Sequence, residues 1–313
     1  MRYVVTGGAG FIGSTISRQL LSMGEKIVII DKLDSLLYSA EIKKSRLNSL
    51  HSSYAFEFHE LDLAKDDFSG ILNEDDVVIH SAALPGQVLS WDSFEEYASA
   101  NILATKRLLD ESVKNQVRNF VYSSTSSVYG KVANSDLDLK LEPYSPYGVT
   151  KLAGENLVKC YHANFNLNVK ILRYFSVYGP GQRSDMAIQI FLESIQQGKQ
   201  ITISGSGEQS RDFTFVEDCA AATISAAKAQ EPIVISDISG GEIATIKEIL
   251  EICFEITGVR VPVSFSERNK GDQDMTLGGT INPALNFGSP EKMDLRTGIA
   301  AQWESLLSKV TLK

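Results

Sequence analysis

The chain has 313 residues, 43% of them hydrophobic and 22% charged, which suits one large α/β domain or two lobes sharing a cleft. A formal net charge of −9 argues against broad nucleic-acid binding, so an anionic ligand would need locally placed arginines. No apolar run reaches membrane-spanning length and the amino terminus enters a strand directly; Cys160, Cys219 and Cys253 lack metal-ligand spacing and read as reduced thiols of a cytoplasmic protein.

Arg2 to Thr6 reads as a short strand, followed by Gly7-Gly8-Ala9-Gly10-Phe11-Ile12-Gly13 and an amphipathic segment from Ser14 to Met23. A glycine loop between strand and helix brings backbone amides up to a pyrophosphate at the positive helix terminus. Gly7, Gly10, Phe11, Ile12 and Gly13 are therefore candidate dinucleotide contacts. Lys26 to Ile30 is the next apolar strand, ending at Asp31. A carboxylate there accepts hydrogen bonds from an adenosine ribose and repels a 2′-phosphate, which favours NAD over NADP, although Lys32 pulls the other way. Tyr54 to Leu61 is a third strand, and Asp62, with Leu63 beside it, is placed either to meet an adenine or merely to form a turn. Asp76 to His80 is a fourth, continuing into Ser81-Ala82-Ala83-Leu84-Pro85-Gly86, where small residues such as Ala82 let the nicotinamide end lie against backbone. His80, among apolar neighbours, reads as a hydrogen-bonded core histidine.

Phe94 to Gln116 has one long helical pattern containing Asn101, and Asn119 to Ser123 starts a buried strand that delivers the hydroxyls of Ser124, Thr125, Ser126 and Ser127. Downstream, Pro-Tyr-Ser-Pro-Tyr-Gly-Val-Thr-Lys opens a helix with Tyr147 and Lys151 one turn apart on the same face. An ammonium beside a phenol favours phenolate and draws its pKa from about 10 towards neutrality, as a general base needs. The pair alone is common by chance; the hydroxyl strand and the glycine loop give it weight. Val169 to Phe175 is a sixth strand, so strands alternating with helices predict an α/β fold with a doubly wound parallel sheet.

Beyond Arg183 the alternation loosens: a helix over Ile188 to Gln197, a strand at Ile201 to Ile203, an alanine-rich helix after Asp218, and a strand over Ile233 to Ser236. The tail holds a helix near Thr245 to Thr257, a strand near Val261 to Phe265 and a closing helix near Thr297 to Leu307. The expected division is a cofactor domain of residues 1–175 and 211–238, with a smaller non-contiguous lobe of 176–210 and 239–313. Arg183, Arg211 and Arg268 are candidate partners for a diphosphate or a carboxylate.

With these residues in place, nearly the whole chain resembles the extended short-chain dehydrogenase/reductase family of nucleotide-sugar enzymes, a Rossmann fold. The resemblance rests on Thr6 to Gly13, the Ser-Ser-Thr run before Val128-Tyr129-Gly130, Tyr147 to Lys151, and Arg211-Asp212-Phe213. Pro85-Gly86 with Ser90-Trp91, Thr125-Ser126-Ser127, and Tyr178 to Ala187 are most similar to UDP-glucuronic acid 4-epimerases. Two departures stand out: Val88 occupies the place of a basic residue, and Arg268 precedes Gly271-Asp272 by one residue more than the pattern has.

The resemblance implies an enzyme that binds NAD and a UDP-sugar and commonly pairs as a homodimer. It gives Tyr147 the role of base at the sugar 4-hydroxyl, Lys151 that of nicotinamide-ribose ligand, and Thr125 a hydrogen bond to the 4-oxygen. Ser126, Ser127, Ser176 and Arg183 are expected to hold a uronate carboxylate, and Pro85, Ala187, Arg211 and Arg268 to contact the rest of the nucleotide sugar. A neutral UDP-glucose or UDP-N-acetylglucosamine 4-epimerase, a keto-sugar reductase and an NAD-binding regulatory module are the alternatives.

Overall fold

Buried β-branched runs dictate the central sheet, and the order of its strands sets where a cleft opens. The computed structural model describes residues 1–37, 39–134, 140–278 and 292–311. The chain begins with β1 (Arg2–Thr6), α1 (Phe11–Ser22), β2 (Lys26–Asp31), α2 (Ala40–His51), β3 (Glu57–Glu60) and β4 (Val77–His80). Next come α3 (Phe94–Ala98), α4 (Ala104–Lys114), β5 (Asn119–Thr125), β6 (Val132–Asn134), α5 (Pro146–Phe165) and β7 (Val169–Tyr174). They are followed by β8 (Val177–Tyr178), α6 (Ala187–Gln196), β9 (Ile201–Ser204), β10 (Ser210–Phe215), α7 (Val216–Lys228) and β11 (Ile233–Ile238). The described chain closes with β12 (Glu242–Thr245), α8 (Ile246–Thr257), β13 (Val263–Ser266), β14 (Met275–Leu277) and α9 (Leu295–Thr311).

Seven strands form one sheet in the order β11-β7-β5-β4-β1-β2-β3, and every neighbouring pair is parallel. This is the doubly wound α/β sheet that the alternation predicts. Successive side chains leave a strand on opposite faces. Tyr3 and Val5 accordingly pack with Ile16, Leu20 and Cys219 of α1 and α7, whereas Val4 packs with Val28, Leu108 and Val158 on the side of α4 and α5. Both faces being covered, β4 is buried throughout and apolar up to His80, as parallel sheets require. The chain winds outward from β1 through β2 and β3, then returns to place β4 on the other flank of β1. Ligands of such sheets bind at this reversal, beyond the carboxyl ends of the strands.

A second sheet, β12-β10-β14-β6 with β8 on β10, and the parallel pair β9–β13 surround a separate core of Phe191, Ile203, Phe215, Ile249 and Phe254. The strand β6 and all of β10 but Ser210, which fall within residues 1–175 and 211–238, belong to this second sheet, where both pair with β14. Residues 279–291, 312 and 313 of the expected lobe lie outside the described residues.

Three elements differ from their sequence patterns. The helix expected from Ser14 begins at Phe11, because Gly13 belongs to its first turn: a Cβ there would sit 2.2 Å from the Gly7 carbonyl oxygen. The pattern from Phe94 to Gln116 is broken by a π-helical turn at Ser99–Leu103, a feature that re-aims a side chain. That side chain is Asn101, whose amide accepts from Leu84 N (2.8 Å) and donates to Leu84 O (3.0 Å) and Thr150 Oγ1 (3.0 Å), tying the β4 loop to α5. The strand expected over Tyr54 to Leu61 shrinks to Glu57–Glu60 at the sheet edge, where β2 is its one neighbour among the described residues.

Candidate active site

At the reversal lies an open cleft holding about 1180 Å³ of non-atom space, the solvent at its mouth included. Gly7, Gly10, Phe11, Ile12, Gly13, Asp31, Asp62, Leu63, Ala82, Tyr147 and Lys151 all line it, together with Pro85 and Arg183. Gly10 caps α1 without a side-chain bond and the first turn carries no acidic residue, so amides that no helix carbonyl can satisfy face the cavity. Gly7 has φ +70° and approaches Ala82 so closely that a Cβ would lie 2.7 Å from its backbone nitrogen. Asp31, buried, accepts from Ala9 N (3.2 Å) and Leu33 N (2.9 Å), so the carboxylate both braces the glycine loop and borders the cavity. The doubt raised by Lys32 is met by its pairing: its ammonium lies 2.8 Å from Asp34 and 3.9 Å from Asp62. Replacing Asp31 by Ser is expected to weaken NAD binding about 10–100-fold, the worth of a charge-assisted hydrogen bond, and to narrow the preference over NADP. Equilibrium dialysis of the stripped protein against each dinucleotide measures both.

His80 is the core histidine its neighbours suggest. Thr105 Oγ1 gives its proton to Asn101 O (2.8 Å), so at 2.9 Å from His80 Nε2 it accepts, and Nδ1 must then accept from Thr6 Oγ1 at 2.7 Å. Thr6 in turn accepts from Ala82 N (3.2 Å), so the neutral imidazole positions the cavity wall. Burial, aided by the charge of Lys151, pushes His80 down from 6.5 to about 3. The unfolded chain therefore takes up a proton that the folded one refuses, and stability is lost as pH falls from 6.5 towards about 3. A His80→Asn variant should show a shallower fall of its urea midpoint across the upper part of that range, above the carboxylate titrations; an unchanged slope contradicts this assignment.

The catalytic candidates converge from two elements. Ser145 caps α5 through Gly148 N (3.2 Å) with Pro146 in the first turn, which fixes where Tyr147 and Lys151 emerge. Gly154 lets α5 press on β5, since a Cβ there would meet the Tyr122 hydroxyl at 2.0 Å. Thr125 ends β5 beside the Tyr147 phenol, and its hydroxyl lies 3.3 Å from Ser127 Oγ. Burial raises the phenol above 10, while the Thr125 hydroxyl and the Arg183 guanidinium pull it down. The expected cause, Lys151, acts differently. Its ammonium lies over the Tyr122 ring at 4.1 Å, and burial brings it down from 10.5 to about 7 against the pull of Glu155. A lysine this deeply buried is only partly charged at neutral pH, so in the cofactor-free protein the Arg183 guanidinium assists the phenolate instead.

The three arginines separate. Arg211 on β10 and Arg268 converge on Asp272, at 2.6 Å and 3.8 Å, and Arg268 also pairs with Asp274. Arg183 sits apart, beside Gly86, with its fork on Asp185 at 2.9 and 3.0 Å. Ser126 and Ser127 are buried in the turn after β5, Ser176 lies partly exposed between β7 and β8, and Ala187 opens α6. None of Thr125, Ser126, Ser127, Ser176, Ala187, Arg211 and Arg268 lines this cleft itself. Sequence reasoning missed Asp185, Gln87 and Gln273. Asp185 stands two residues from Arg183 in the same turn and was within reach; the two glutamines meet across 186 residues and had no local signal.

The model of the NAD dependent epimerase/dehydratase family matches residues 3–237. The chain belongs to this family. The epimerase is 38% identical over 283 residues to an uncharacterised UDP-glucose epimerase, YtcB, of Bacillus subtilis, covering 88% of each chain. It is 35% identical over 279 residues to a UDP-glucuronate 4-epimerase of Thermodesulfobacterium geofontis, covering 88% of this chain and 86% of the other. Among solved structures, the Bacillus cereus UDP-glucuronic acid 4-epimerase in complex with UDP-glucuronic acid and NAD superposes with a TM-score of 0.93 at 36% identity, covering 99% of this chain and all of that one. The family's dinucleotide fits this epimerase: the side-chain-free glycine cradle, the uncapped start of α1 and Asp31 supply the diphosphate and ribose contacts that NAD needs.

Proposed function

We propose that the epimerase interconverts UDP-glucuronic acid and UDP-galacturonic acid by inverting C4. The observation that carries this reading is the hydroxyl run Thr125-Ser126-Ser127, whose first member, like the Arg183 guanidinium, acts on the Tyr147 phenol. The relatives that act on UDP-glucuronate support it.

Bound NAD supplies a two-electron acceptor and donor for C4. Tyr147 takes the proton of the 4-hydroxyl and returns it to the inverted 4-oxygen, a transfer worth about 10²–10⁴-fold in rate. Thr125 holds that oxygen, and Lys151 holds the nicotinamide ribose. The 4-keto sugar is a β-keto acid, which loses carbon dioxide only if its carboxylate bond aligns with the carbonyl π system. Ser126, Ser127, Ser176 and Arg183 hold the carboxylate out of that alignment. Both positions after Thr125 are hydroxyls, so neither supplies an acid for elimination. Arg211 and Arg268 grip the diphosphate once Asp272 gives way, while Pro85 and Ala187 border the nucleotide sugar.

A neutral substrate is the second reading, favoured by the Asp185 carboxylate already filling the fork of Arg183. Incubating the protein separately with UDP-glucuronate and UDP-glucose and following the sugars by NMR separates the two. The reading expects UDP-galacturonate from the first and little galactose from the second; the reverse assigns the neutral substrate.

We further infer a homodimer through α5 and the helical stretch around Asn101, a reading supported by the apolar side chains of Phe94 on α3, Leu103 in the π-helical turn and Val149 on α5, each close to half exposed. Sedimentation of the wild type should give a dimer, and a Leu103→Glu variant a monomer. The three free cysteines fit a reducing cytoplasm.

A further inference from the structure

Carbonyls settle the orientation of two side-chain amides beside the hydroxyl run. Gln273 is buried, and its Nε2 reaches Gly130 O at 2.6 Å and Ser126 O at 3.4 Å. Both partners only accept, so Gln273 must turn its nitrogen to them and its oxygen away. That oxygen lies 3.4 Å from Gln87 Nε2, which fixes the second amide in turn, and the same nitrogen donates to Ser127 Oγ at 3.1 Å.

The protons of the hydroxyls then follow. Thr125 Oγ1 accepts from Ser127 N (3.2 Å) and gives its own proton to Ser127 Oγ at 3.3 Å. Ser127 Oγ receives one proton from Thr125 and one from Gln87, so both of its lone pairs are taken. Its own O–H is the one thing it has left to offer.

We propose that Gln87, locked by Gln273, is a positioning residue that makes Ser127 an obligate hydrogen-bond donor and thereby selects a carboxylate over a hydroxymethyl group at C5 of the sugar. The proposal rests on the UDP-glucuronate reading. A carboxylate can only accept and gains a charge-assisted bond from such a donor. A hydroxymethyl group gains no more than a neutral one.

Gln87→Glu reverses the arrangement at nearly constant shape. Ser127 then donates to the new carboxylate and faces the sugar as an acceptor, with a negative charge behind it. For wild type and variant, kcat and KM are measured with UDP-glucuronate and with UDP-glucose, alongside co-purified NAD. The ratio of kcat/KM for the uronate to that for the neutral sugar is expected to fall about 30-fold or more, through KM for the uronate, with NAD retained. A Gln87→Met variant, which removes the donor without adding charge, should fall part of the way and serves if Gln87→Glu does not fold. Equal losses on both sugars, or an unchanged ratio, overturn the proposal while leaving the uronate reading intact. A wild type that does not prefer the uronate fails the reading itself, and the proposal with it.

Discussion

Tyr147→Phe is expected to lower kcat by about 10²–10⁴-fold while the protein still purifies with NAD. The phenyl ring fills the same space, so the edge-on packing against Tyr97, 6.2 Å between centroids, persists and the cavity wall stays whole. Only the proton acceptor disappears. Thr125 cannot replace it, because a neutral hydroxyl accepts no proton from a sugar alcohol at neutral pH. Thr125→Val should cost less than Tyr147→Phe, and the double variant little more than Tyr147→Phe alone, since the threonine acts through the phenol and the oxygen it serves. The NAD content, read from absorbance of the denatured extract, separates a lost base from a lost cofactor site. A Tyr147→Phe protein with full turnover would falsify the assignment of Tyr147 as base.

The second large effect is on stability. Glu155 is fully buried in α5, where it accepts from Ser124 Oγ (2.6 Å) and from Arg173 Nε and Nη2 (2.9 and 2.8 Å). Arg173 also donates to the Tyr129 hydroxyl (2.9 Å), which donates on to Asp237 (2.8 Å). This network joins β5, β7, β11 and α5 beneath the catalytic face. Arg173→Leu leaves Glu155 buried with Ser124 and the 3.7 Å ammonium of Lys159. Breaking such a pair from one side costs about 3–5 kcal/mol, and with it on the order of 10 °C in Tm. Arg173→Leu combined with Glu155→Leu should recover much of the loss, because no uncompensated charge then remains. Since the Glu155 charge holds Lys151 up, Glu155→Gln should lower Lys151 further below 10.5 and move it towards the neutral amine at working pH.

What could be foreseen from the chain follows local physics. Glycines whose Cβ would collide with neighbouring backbone, at Gly7 and Gly13, are visible as a loop between a strand and a helix. Asp31 is visible because the apolar run of β2 ends there, and Tyr147 with Lys151 because one helical turn separates them. The NAD-dependent nucleotide-sugar reading and the parallel sheet rest on these and agree with the relatives. The π-helical turn at Ser99–Leu103 was hidden, because an apolar stripe continues across it and only the distant partners of Asn101 reveal the shift. Short strands such as β6 and β14 carry three residues each, too few for a period, and exist through pairing with each other. The state of Lys151 was equally out of reach: spacing places an ammonium beside a phenol, but the depth that brings it to about 7 belongs to the packing of α5 on β5.

The most direct test of a cycle that opens and closes at one carbon uses UDP-glucuronate labelled with deuterium at C4, incubated with the purified protein in ordinary water and followed by NMR. The account predicts UDP-galacturonate that keeps the deuterium at C4, with no net absorbance gain at 340 nm and no pentose product. Label lost to water, carbon dioxide released, or a sugar recovered unchanged contradicts it.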